Sequence, residues 1–481
     1  MADRTINMDA NGGLPMTESS IKIWALTAAA PDRERALQTS RAFATALSRE
    51  YSFELIERAD TPLPLGVNLH DDPSFSVTWT SGIAAANCAV ITGTVRRYTV
   101  VTKRMPHVIT TAGDPPSVLA CCRALHNERA CELTILPIRR NGMGLGSLEP
   151  SYLKSALRSN TCLVTIAAVS ADTGTINNLR KLAAATSKAH VPFHSDVTQL
   201  IGRSAFRPAA LGIDSWTASF EHIRGAPMFG VLAVRRSFAH GYSLASYIGG
   251  AQNASGELRA TGLGDPDALI QLEPALAATT SAWRTSIELS KTAQTRMGEQ
   301  RDLLYNSIAR AGRAIFLDDC EADIPPSIDG GITPPGPRPY LGTELGRTSI
   351  RSALNGGGAA IVWIAPYDTR TVLPNTLLIS ICAQDFSAEA VRAQLSTERI
   401  IVGRPRAAII GALCLPLALR QGLLRFSLHQ DTTSGDIMEV ADKISRLIKT
   451  DRGNRERSGS TEIMRHNNSN GRKSRSRSNG R

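Results

Sequence analysis

The chain has 481 residues, of which 42% are hydrophobic and 20% are charged, a composition typical of globular proteins. This length exceeds one small domain and suits two or three, with enough apolar residues for buried cores. No stretch of eighteen apolar residues occurs, which argues against a membrane-spanning helix. The N-terminus lacks an apolar segment, so a cleaved secretory signal is not expected.

Positive charge is concentrated at the C-terminal end of the chain. The formal net charge is +11, and residues 451–481 supply +6 of it through nine Lys or Arg against three acids. This tail is mostly Ser, Asn, Gly and Arg, and its lack of apolar residues predicts disorder. Short Arg/Ser segments can bind RNA phosphates or act as import signals, and such a tail can also be a solvated, solubilising segment.

The cysteine pattern indicates a reducing compartment. Eight cysteines are scattered without any Cys-x-x-Cys pair, so neither a zinc site nor a disulfide framework is predicted. Most lie in apolar segments, which is typical of buried, reduced thiols. We therefore expect an intracellular protein, cytoplasmic or, through the basic tail, nuclear.

Strand and helix patterns alternate in the first half of the chain. Residues 32–56 show helical periodicity, and helical segments recur at 116–125 and 153–157. Short β-rich segments occur at 99–101, 107–110, 133–136, 162–166 and 230–234. This spacing predicts an α/β fold with a mostly parallel sheet covered by helices.

The second half predicts a long helix at 266–313, a loop at 318–346 and then a smaller α+β unit. The strands of that unit are expected at 376–381 and 424–428, and its helices at 387–395 and 435–448. We expect four parts: an N-terminal segment of a small domain (1–15), a large domain (16–260), the small domain with connecting helices (261–450) and the tail (451–481).

Four short motifs follow one another in a characteristic order. They are Ile6-Asn7-Met8-Asp9-Ala10-Asn11, His194-Ser195-Asp196-Val197-Thr198-Gln199, Ser219-Phe220-Glu221-His222 and Leu424-Arg425-Phe426-Ser427-Leu428. Together they resemble segments of the NifS-like cysteine desulfurases, members of the class V aminotransferase family of pyridoxal-phosphate (PLP) enzymes. The resemblance runs from about residue 6 to residue 448. It implies the PLP-dependent transferase (aspartate aminotransferase-like, type I) fold, PLP as cofactor and a homodimer.

The resemblance implies roles for three polar side chains. Asp196 would pair with the pyridine nitrogen and keep it protonated, so that the ring can accept electrons. Gln199 would hydrogen-bond the phenolic oxygen of the ring. Arg425 would hold the substrate carboxylate by a bidentate pair.

The phosphate end of the expected cofactor site is only partly preserved. Ser81 and Gly82 keep the turn before a helix N-terminus, which attracts phosphate, and Ser219 is a further phosphate ligand by resemblance. Glu221, however, stands where the family has a histidine, and a carboxylate beside a phosphate is repulsive.

His222 occupies the position of the family's Schiff-base lysine. The family reads Ser-Gly-His-Lys where this chain reads Ser219-Phe220-Glu221-His222, and no lysine lies between Lys188 and Lys291. An amine can hold PLP covalently, whereas an imidazole cannot. Any PLP would therefore be held noncovalently.

Four further features of the family motifs have changed. Pro115 replaces the ring-stacking histidine, and Ile83-Ala84-Ala85 lacks the phosphate-cup threonine. The Asn-Asn-Glu-Thr-Gly loop reads Ser170-Ala171-Asp172-Thr173-Gly174, and Arg406 stands at the nucleophilic cysteine. Cys414 follows eight residues later in an apolar segment and is predicted to be buried.

Five changes on one scaffold favour a pseudoenzyme, a binding or structural subunit that forms a homodimer or a heterodimer with an active relative. A first alternative is an enzyme with noncovalent PLP that uses Asp196, Arg425 and His222 as base. A second is a nucleic-acid-binding protein acting through the tail. His190, His194, Asp196 and His222 could form a metal cluster, but His194 belongs to the family motif, so no metal site is predicted.

Overall fold

The protein is described by a computed structural model that covers residues 5–9, 13–29, 32–48, 75–140, 144–203, 208–235, 266–316, 344–364 and 371–448. Its strands are β1 (Ile6–Met8), β2 (Phe75–Thr80), β3 (His107–Thr111), β4 (Glu132–Leu136), β5 (Thr161–Thr165), β6 (Phe193–Asp196), β7 (Ser215–Ser219), β8 (Gly230–Arg235), β9 (Arg313–Phe316), β10 (Ala360–Trp363), β11 (Thr376–Cys382), β12 (Ile400–Val402) and β13 (Leu423–Ser427).

Helices cover these strands and connect the two halves of the chain. They are α1 (Glu18–Ala29), α2 (Arg33–Ser48), α3 (Ile83–Thr102), α4 (Pro116–Asn127), α5 (Pro150–Ala156), α6 (Leu179–Lys188), α7 (Pro208–Leu211), α8 (Pro266–Ala309), α9 (Glu344–Leu354), α10 (Ala388–Thr397), α11 (Ala407–Ala412), α12 (Leu417–Gln421) and α13 (434–448). A 3-10 turn at Glu221–Ile223 follows β7.

A seven-stranded sheet in the order β2-β8-β7-β6-β5-β3-β4 forms the centre of the larger unit. Neighbouring strands from β7 to β4 are parallel, and β8 runs antiparallel to both β2 and β7. Successive strand residues enter opposite cores: Leu163 packs with helices α3 and α4, whereas Val164 packs on the other face. Burial on both faces explains the continuous apolar sequence of these strands.

A second, four-stranded sheet in the order β13-β11-β10-β9 forms the smaller unit. Its core contains Trp363 and Phe426, while β1 pairs in parallel with β12 beside it. Helix α8 joins the two units, because Leu276 belongs to the core of the large sheet and Tyr305 to that of the small one. Within the described ranges, no helix is both long and apolar enough to cross a membrane.

The predicted α/β architecture is confirmed, but two local expectations were wrong. Residues 99–101 lie in helix α3 and not in a strand. The hydroxyl groups of Thr99 and Thr102 each donate to the backbone carbonyl four residues earlier, so these β-branched residues are accommodated in the helix. Residues 344–346, expected in a loop, begin helix α9, whose Ile350 packs on the small core. Residues 317–343 and 49–56 lie outside the described residues.

Candidate functional site

The cleft at the carboxyl ends of the parallel strands brings most of the predicted site residues together. Such a crevice is where open α/β sheets bind ligands. Asp196 ends β6, Ser219 ends β7, and Ser81 and Gly82 lie between β2 and the first turn of α3. Arg425 is on β13 of the small unit, so it reaches the cleft from the opposite side.

Asp196 is buried and held from two directions. One carboxylate oxygen accepts from Nδ2 of Asn87 at 2.9 Å, and the other accepts from the backbone N–H of Thr198 at 3.0 Å. Burial raises the pKa of Asp196, and these hydrogen bonds only partly oppose the rise. The Asn87 amide oxygen accepts in turn from the Thr217 hydroxyl at 2.5 Å. The retained carboxylate is therefore fixed by α3 and β7.

His194 has a structural environment. Its Nδ1 lies 2.8 Å from the Thr165 hydroxyl and its Nε2 lies 3.0 Å from that of Thr217. Burial lowers the pKa of His194 to about 3, so the imidazole is neutral. In the part of the chain that the structure describes, no group of three or more His, Cys, Asp or Glu could hold a metal ion.

Gln199 is directed towards an arginine of the same loop. Its side-chain oxygen accepts from Nη1 of Arg203 at 2.7 Å. Burial lowers the pKa of Arg203 to about 9; Asp9 opposes this change, and the positive charge of Arg425 adds to it. The oxygen of Gln199 thus already has a cationic partner, and its expected contact with a PLP ring stays a prediction.

The turn predicted to receive the cofactor phosphate requires glycine at two positions. Gly82 precedes α3 with φ of 99°, and a Cβ on Gly230 would lie 2.7 Å from the carbonyl carbon of Gly82, so both positions favour glycine. Ser219 is buried, and its backbone N–H donates to the Thr198 hydroxyl at 3.2 Å. The Glu221 carboxylate accepts from the backbone N–H of Met228 at 3.0 Å.

His222 is buried in the 3-10 turn after β7, with 3% of its surface exposed. Its Nε2 lies 2.8 Å from the backbone carbonyl oxygen of Ile201, and because a carbonyl only accepts, Nε2 carries the proton. Burial, and secondly the charge of Arg203, hold the pKa of His222 well below its usual value. Nδ1 is buried and has no hydrogen-bond partner in the described part of the chain.

Arg425, the expected substrate ligand, is paired with two carboxylates of the protein itself. Its Nη1 donates to Asp172 at 2.8 Å and its Nη2 donates to Asp9 at 2.6 Å. Burial lowers the pKa of Arg425, but Asp9 and Asp172 outweigh that effect and raise the pKa above its ordinary value. A role for Arg425 in binding substrate stays a prediction, and these contacts oppose it.

Arg406, at the position of the family's cysteine, reaches into the cleft. Its Nε donates to Asp172 at 2.6 Å, and its two Nη groups donate to the backbone carbonyls of Asp114 and Gly113 at 3.1 and 3.2 Å. Asp114 is itself buried and accepts from the hydroxyls of Thr110 and Thr111. Arg406 therefore links the loop after β12 to the loop after β3.

The predictions for Cys414 and for the C-terminal tail have different outcomes. Cys414 was predicted to be buried and is instead half-buried, because α11 ends before it and the residue adopts a left-handed turn with φ of 50°. Its thiol donates to the backbone carbonyl of Gly411 at 3.3 Å. The tail at 451–481 lies outside the described residues, so its predicted disorder and nucleic-acid binding stay predictions.

The sequence did not predict the ion pairs of Asp9 and Asp172 with Arg425, nor the hydrogen bond between Asn87 and Asp196. Both carboxylates lie far from Arg425 in the sequence, by 416 and 253 residues. The available signal was the acid in the Asn-Asn-Glu-Thr-Gly loop together with the extra arginine at position 406. An arginine added near an acid that the family loop already has favours an ion pair between them.

Comparison with known proteins places a class V aminotransferase domain in the first half of the chain. The Aminotransferase class-V family model matches residues 69–268. A NifS-like protein of African swine fever virus (isolate Tick/South Africa/Pretoriuskop Pr4/1996) is 30% identical over 187 residues, which cover 38% of this chain and 45% of that protein. Cysteine desulfurase IscS of Vesicomyosocius okutanii is 30% identical over 189 residues, 39% of this chain and 45% of the relative.

The chain thus spans less than half the length of these curated relatives in sequence. In structure the likeness extends further. A solved NifS-like protein superposes with a TM-score of 0.66 at 18% identity, covering 93% of this chain and 100% of the other. The apo cysteine desulfurase from Thermococcus onnurineus NA1 gives 0.63 at 14% identity, covering 93% and 95%. The predicted PLP-dependent transferase fold is therefore confirmed.

Proposed function

We propose that this chain is a binding or structural subunit that has the fold of an enzyme. Residues 69–268 match the aminotransferase class V family and are similar to NifS-like proteins and cysteine desulfurases. In this proposal the chain no longer catalyses PLP-dependent sulfur transfer. The state of His222 carries the proposal.

Covalent attachment of PLP requires an amine, and the residue at the attachment position is an imidazole. The His222 ring is also committed, because Nε2–H donates to Ile201 and the ring is buried and neutral. A proton acceptor remains only at Nδ1, which lies inside the protein. The residue thus supplies neither a Schiff-base nitrogen nor an exposed base.

The other cofactor contacts fit PLP unequally. Asp196 suits a protonated pyridine nitrogen, since a buried carboxylate gains most from a cationic partner. Arg425 is occupied by Asp9 and Asp172, and Glu221 adds a negative charge near the phosphate end. The cleft would offer PLP a contact for its ring nitrogen but no amine for covalent attachment.

The test is an absorption spectrum of the purified full chain with and without added PLP, followed by borohydride reduction and intact-mass measurement. We expect no mass increase after reduction. The His222→Lys variant is the matched control, because it has an amine at this position. A PLP-sized adduct on the wild-type chain after reduction, at one molecule per chain, would overturn the proposal.

A second candidate, an enzyme with noncovalent PLP, is favoured by one observation, the buried Asp196 with its intact Asn87 contact. It predicts a saturable shift of the PLP absorption band, and cofactor-dependent turnover of cysteine or a related amino acid. Both would disappear in Asp196→Ala. The spectrum of wild type against Asp196→Ala separates this candidate from the leading proposal.

The assembly and partners expected from the resemblance are also proposals. Light scattering would show whether the chain forms a homodimer, and co-purification with an active relative would show a heterodimer. Binding of RNA or another polyanion through residues 451–481 would decrease steeply with salt and disappear on truncation at about residue 451.

A further inference from the structure

Asp172 lies at the centre of an ion-pair network between the two units. Its side chain is fully buried, and both carboxylate oxygens are used. One accepts from Nη1 of Arg425 at 2.8 Å and from the backbone N–H of Arg406 at 3.2 Å, and the other accepts from Nε of Arg406 at 2.6 Å. Two guanidinium groups thus surround one carboxylate, an arrangement that binds carboxylates strongly.

The loop that carries Asp172 is held rigidly. The backbone N–H of Gly174 donates to the carbonyl of Ser170 at 2.8 Å, and that of Ser170 donates to the carbonyl of Thr175 at 2.9 Å. Gly174 has φ of 73°, and a Cβ there would lie 2.8 Å from the side chain of Thr376. This closed turn presents the Asp172 carboxylate in one position, as a preorganised ligand would be presented.

The loop that carries Arg406 is equally fixed. Gly403 forms a β-bridge with Arg425, which places Arg404–Arg406 directly beside β13. A side chain at Gly403 would approach Asp9 Oδ1 to 2.7 Å and Arg425 Nε to 2.8 Å, so the packing requires glycine. The two arginines therefore have defined positions of their own, and they converge on one carboxylate.

We propose that Arg406 and Arg425 form a carboxylate-binding site that Asp172 fills as a built-in ligand, so that the folded protein excludes carboxylates from solution. The site would take a small carboxylate only when Asp172 is removed. This inference rests on the proposed function, in which the cleft does not bind amino-acid substrates. It does not depend on whether PLP binds.

The charge balance supports this assignment. The Arg425 guanidinium is 7% exposed, and its Nη1 and Nη2 are bonded to Asp172 and Asp9. Its remaining donor, Nε, is buried and has no hydrogen-bond partner in the ranges that the structure covers. An external carboxylate would therefore have to displace Asp172, and the displaced buried charge would be left unpaired at a large cost.

Chemical rescue tests the proposal. Replacing Asp172 by alanine removes one carboxylate group and leaves a space of the size and charge preference of formate. We expect Asp172→Ala to unfold at a lower temperature than wild type. Sodium formate should raise the unfolding temperature of this variant in a saturable manner, whereas sodium chloride at the same ionic strength and pH should not, since a ligand of the folded state alone stabilises it.

Two matched variants serve as controls. Asp436→Ala removes a buried aspartate of helix α13 that accepts two hydrogen bonds from Thr433 and does not belong to the Asp172 network, so formate should not stabilise it. Asp172→Asn removes the charge but still fills the space, so it should be destabilised without rescue. If formate raises the unfolding temperature of Asp172→Ala no more than that of Asp436→Ala, the proposal is wrong.

If Asp172→Ala does not fold under ordinary conditions, its refolding yield from denaturant is measured in place of its unfolding temperature. We expect a several-fold higher yield in formate than in chloride, and equal yields would overturn the proposal. Every measurement is made without PLP. A PLP adduct on the wild-type chain would therefore defeat the proposed function and leave the rescue result unaffected.

Discussion

At the end of the cleft predicted to hold the PLP ring nitrogen, Asp196 is buried and contacts Asn87, and no cationic side chain among the described residues is bonded to it. At the opposite end, Arg425 and Arg406 are bonded to Asp9 and Asp172. The first end keeps an acid whose natural partner would be a ligand. At the second end, the arginines are paired with carboxylates of the protein itself.

This difference follows from the cost of burying charge. An aspartate can respond to burial by taking up a proton, and the raised pKa of Asp196 reflects this. An arginine cannot lose its proton at ordinary pH, so a buried arginine without a substrate needs an internal carboxylate. If the proposed function holds, a cleft without a substrate would neutralise its arginines first and retain its aspartate.

The largest expected effect is on the arginine end. Arg425→Ala leaves Asp172 with one arginine and removes the Nη2 donor of Asp9, and breaking a buried ion pair costs about 3–5 kcal/mol. We expect that loss in the free energy of unfolding, measured with denaturant. Arg158→Ala is the control: its ion pair with Glu132 is half-exposed and should contribute at most about 1 kcal/mol. Equal losses in the two variants would contradict the network.

An intermediate effect concerns acid sensitivity and His222. The pKa of His222 in the folded state lies well below the unfolded value of about 6.5. Below pH 6.5 this histidine therefore binds more protons in the unfolded chain than in the folded one. This histidine therefore stabilises the neutral-pH fold, and its contribution is lost as pH falls from 6.5 towards the folded pKa. His194, with a folded pKa of about 3, acts in the same direction.

We expect the His222→Gln variant to show a weaker dependence of unfolding free energy on pH between 4.5 and 6. One bound proton corresponds to a slope of about 1.4 kcal/mol per pH unit, which is the expected difference from wild type. The raised pKa values of Asp114 and Asp196 act in the opposite direction, but they are common to both proteins and cancel in the comparison. His429→Gln is the control, and identical slopes for wild type and His222→Gln would show that the buried imidazole is not neutral.

The ring-nitrogen end was predictable from sequence because its signals are local. The motif from His194 to Gln199 consists of a strand end and the loop that follows, so Asp196 and Gln199 reach the cleft by continuity of the chain. The mostly parallel character of the large sheet follows similarly from the alternation of strands and helices. The misassigned segment at 99–101 shows the limit of local propensity, since neighbouring turns of α3 determined its structure.

The arginine end was not predictable in the same way. Asp172 and Arg425 are separated by 253 residues, and only the docking of the small unit against the large one brings them together. The sequence identified Arg425 and Arg406 as separate features of two motifs, and the acid at position 172 did not show which arginine it would meet. Long-range ion pairs depend on side-chain positions that periodicity does not encode.

The smallest expected effect concerns the phosphate end. If PLP binds noncovalently, Glu221→Gln should increase its affinity, because one negative charge is removed from the surroundings of a dianion. Glu221 is only partly buried, so solvent weakens the repulsion and the gain should be no more than several-fold. Titration of the PLP absorption band measures the affinity, with Glu389→Gln in the small unit as the control for loss of one charge. An affinity that is unchanged in Glu221→Gln, while Asp196→Ala abolishes the band, would show that the ring-nitrogen contact alone determines retention of the cofactor.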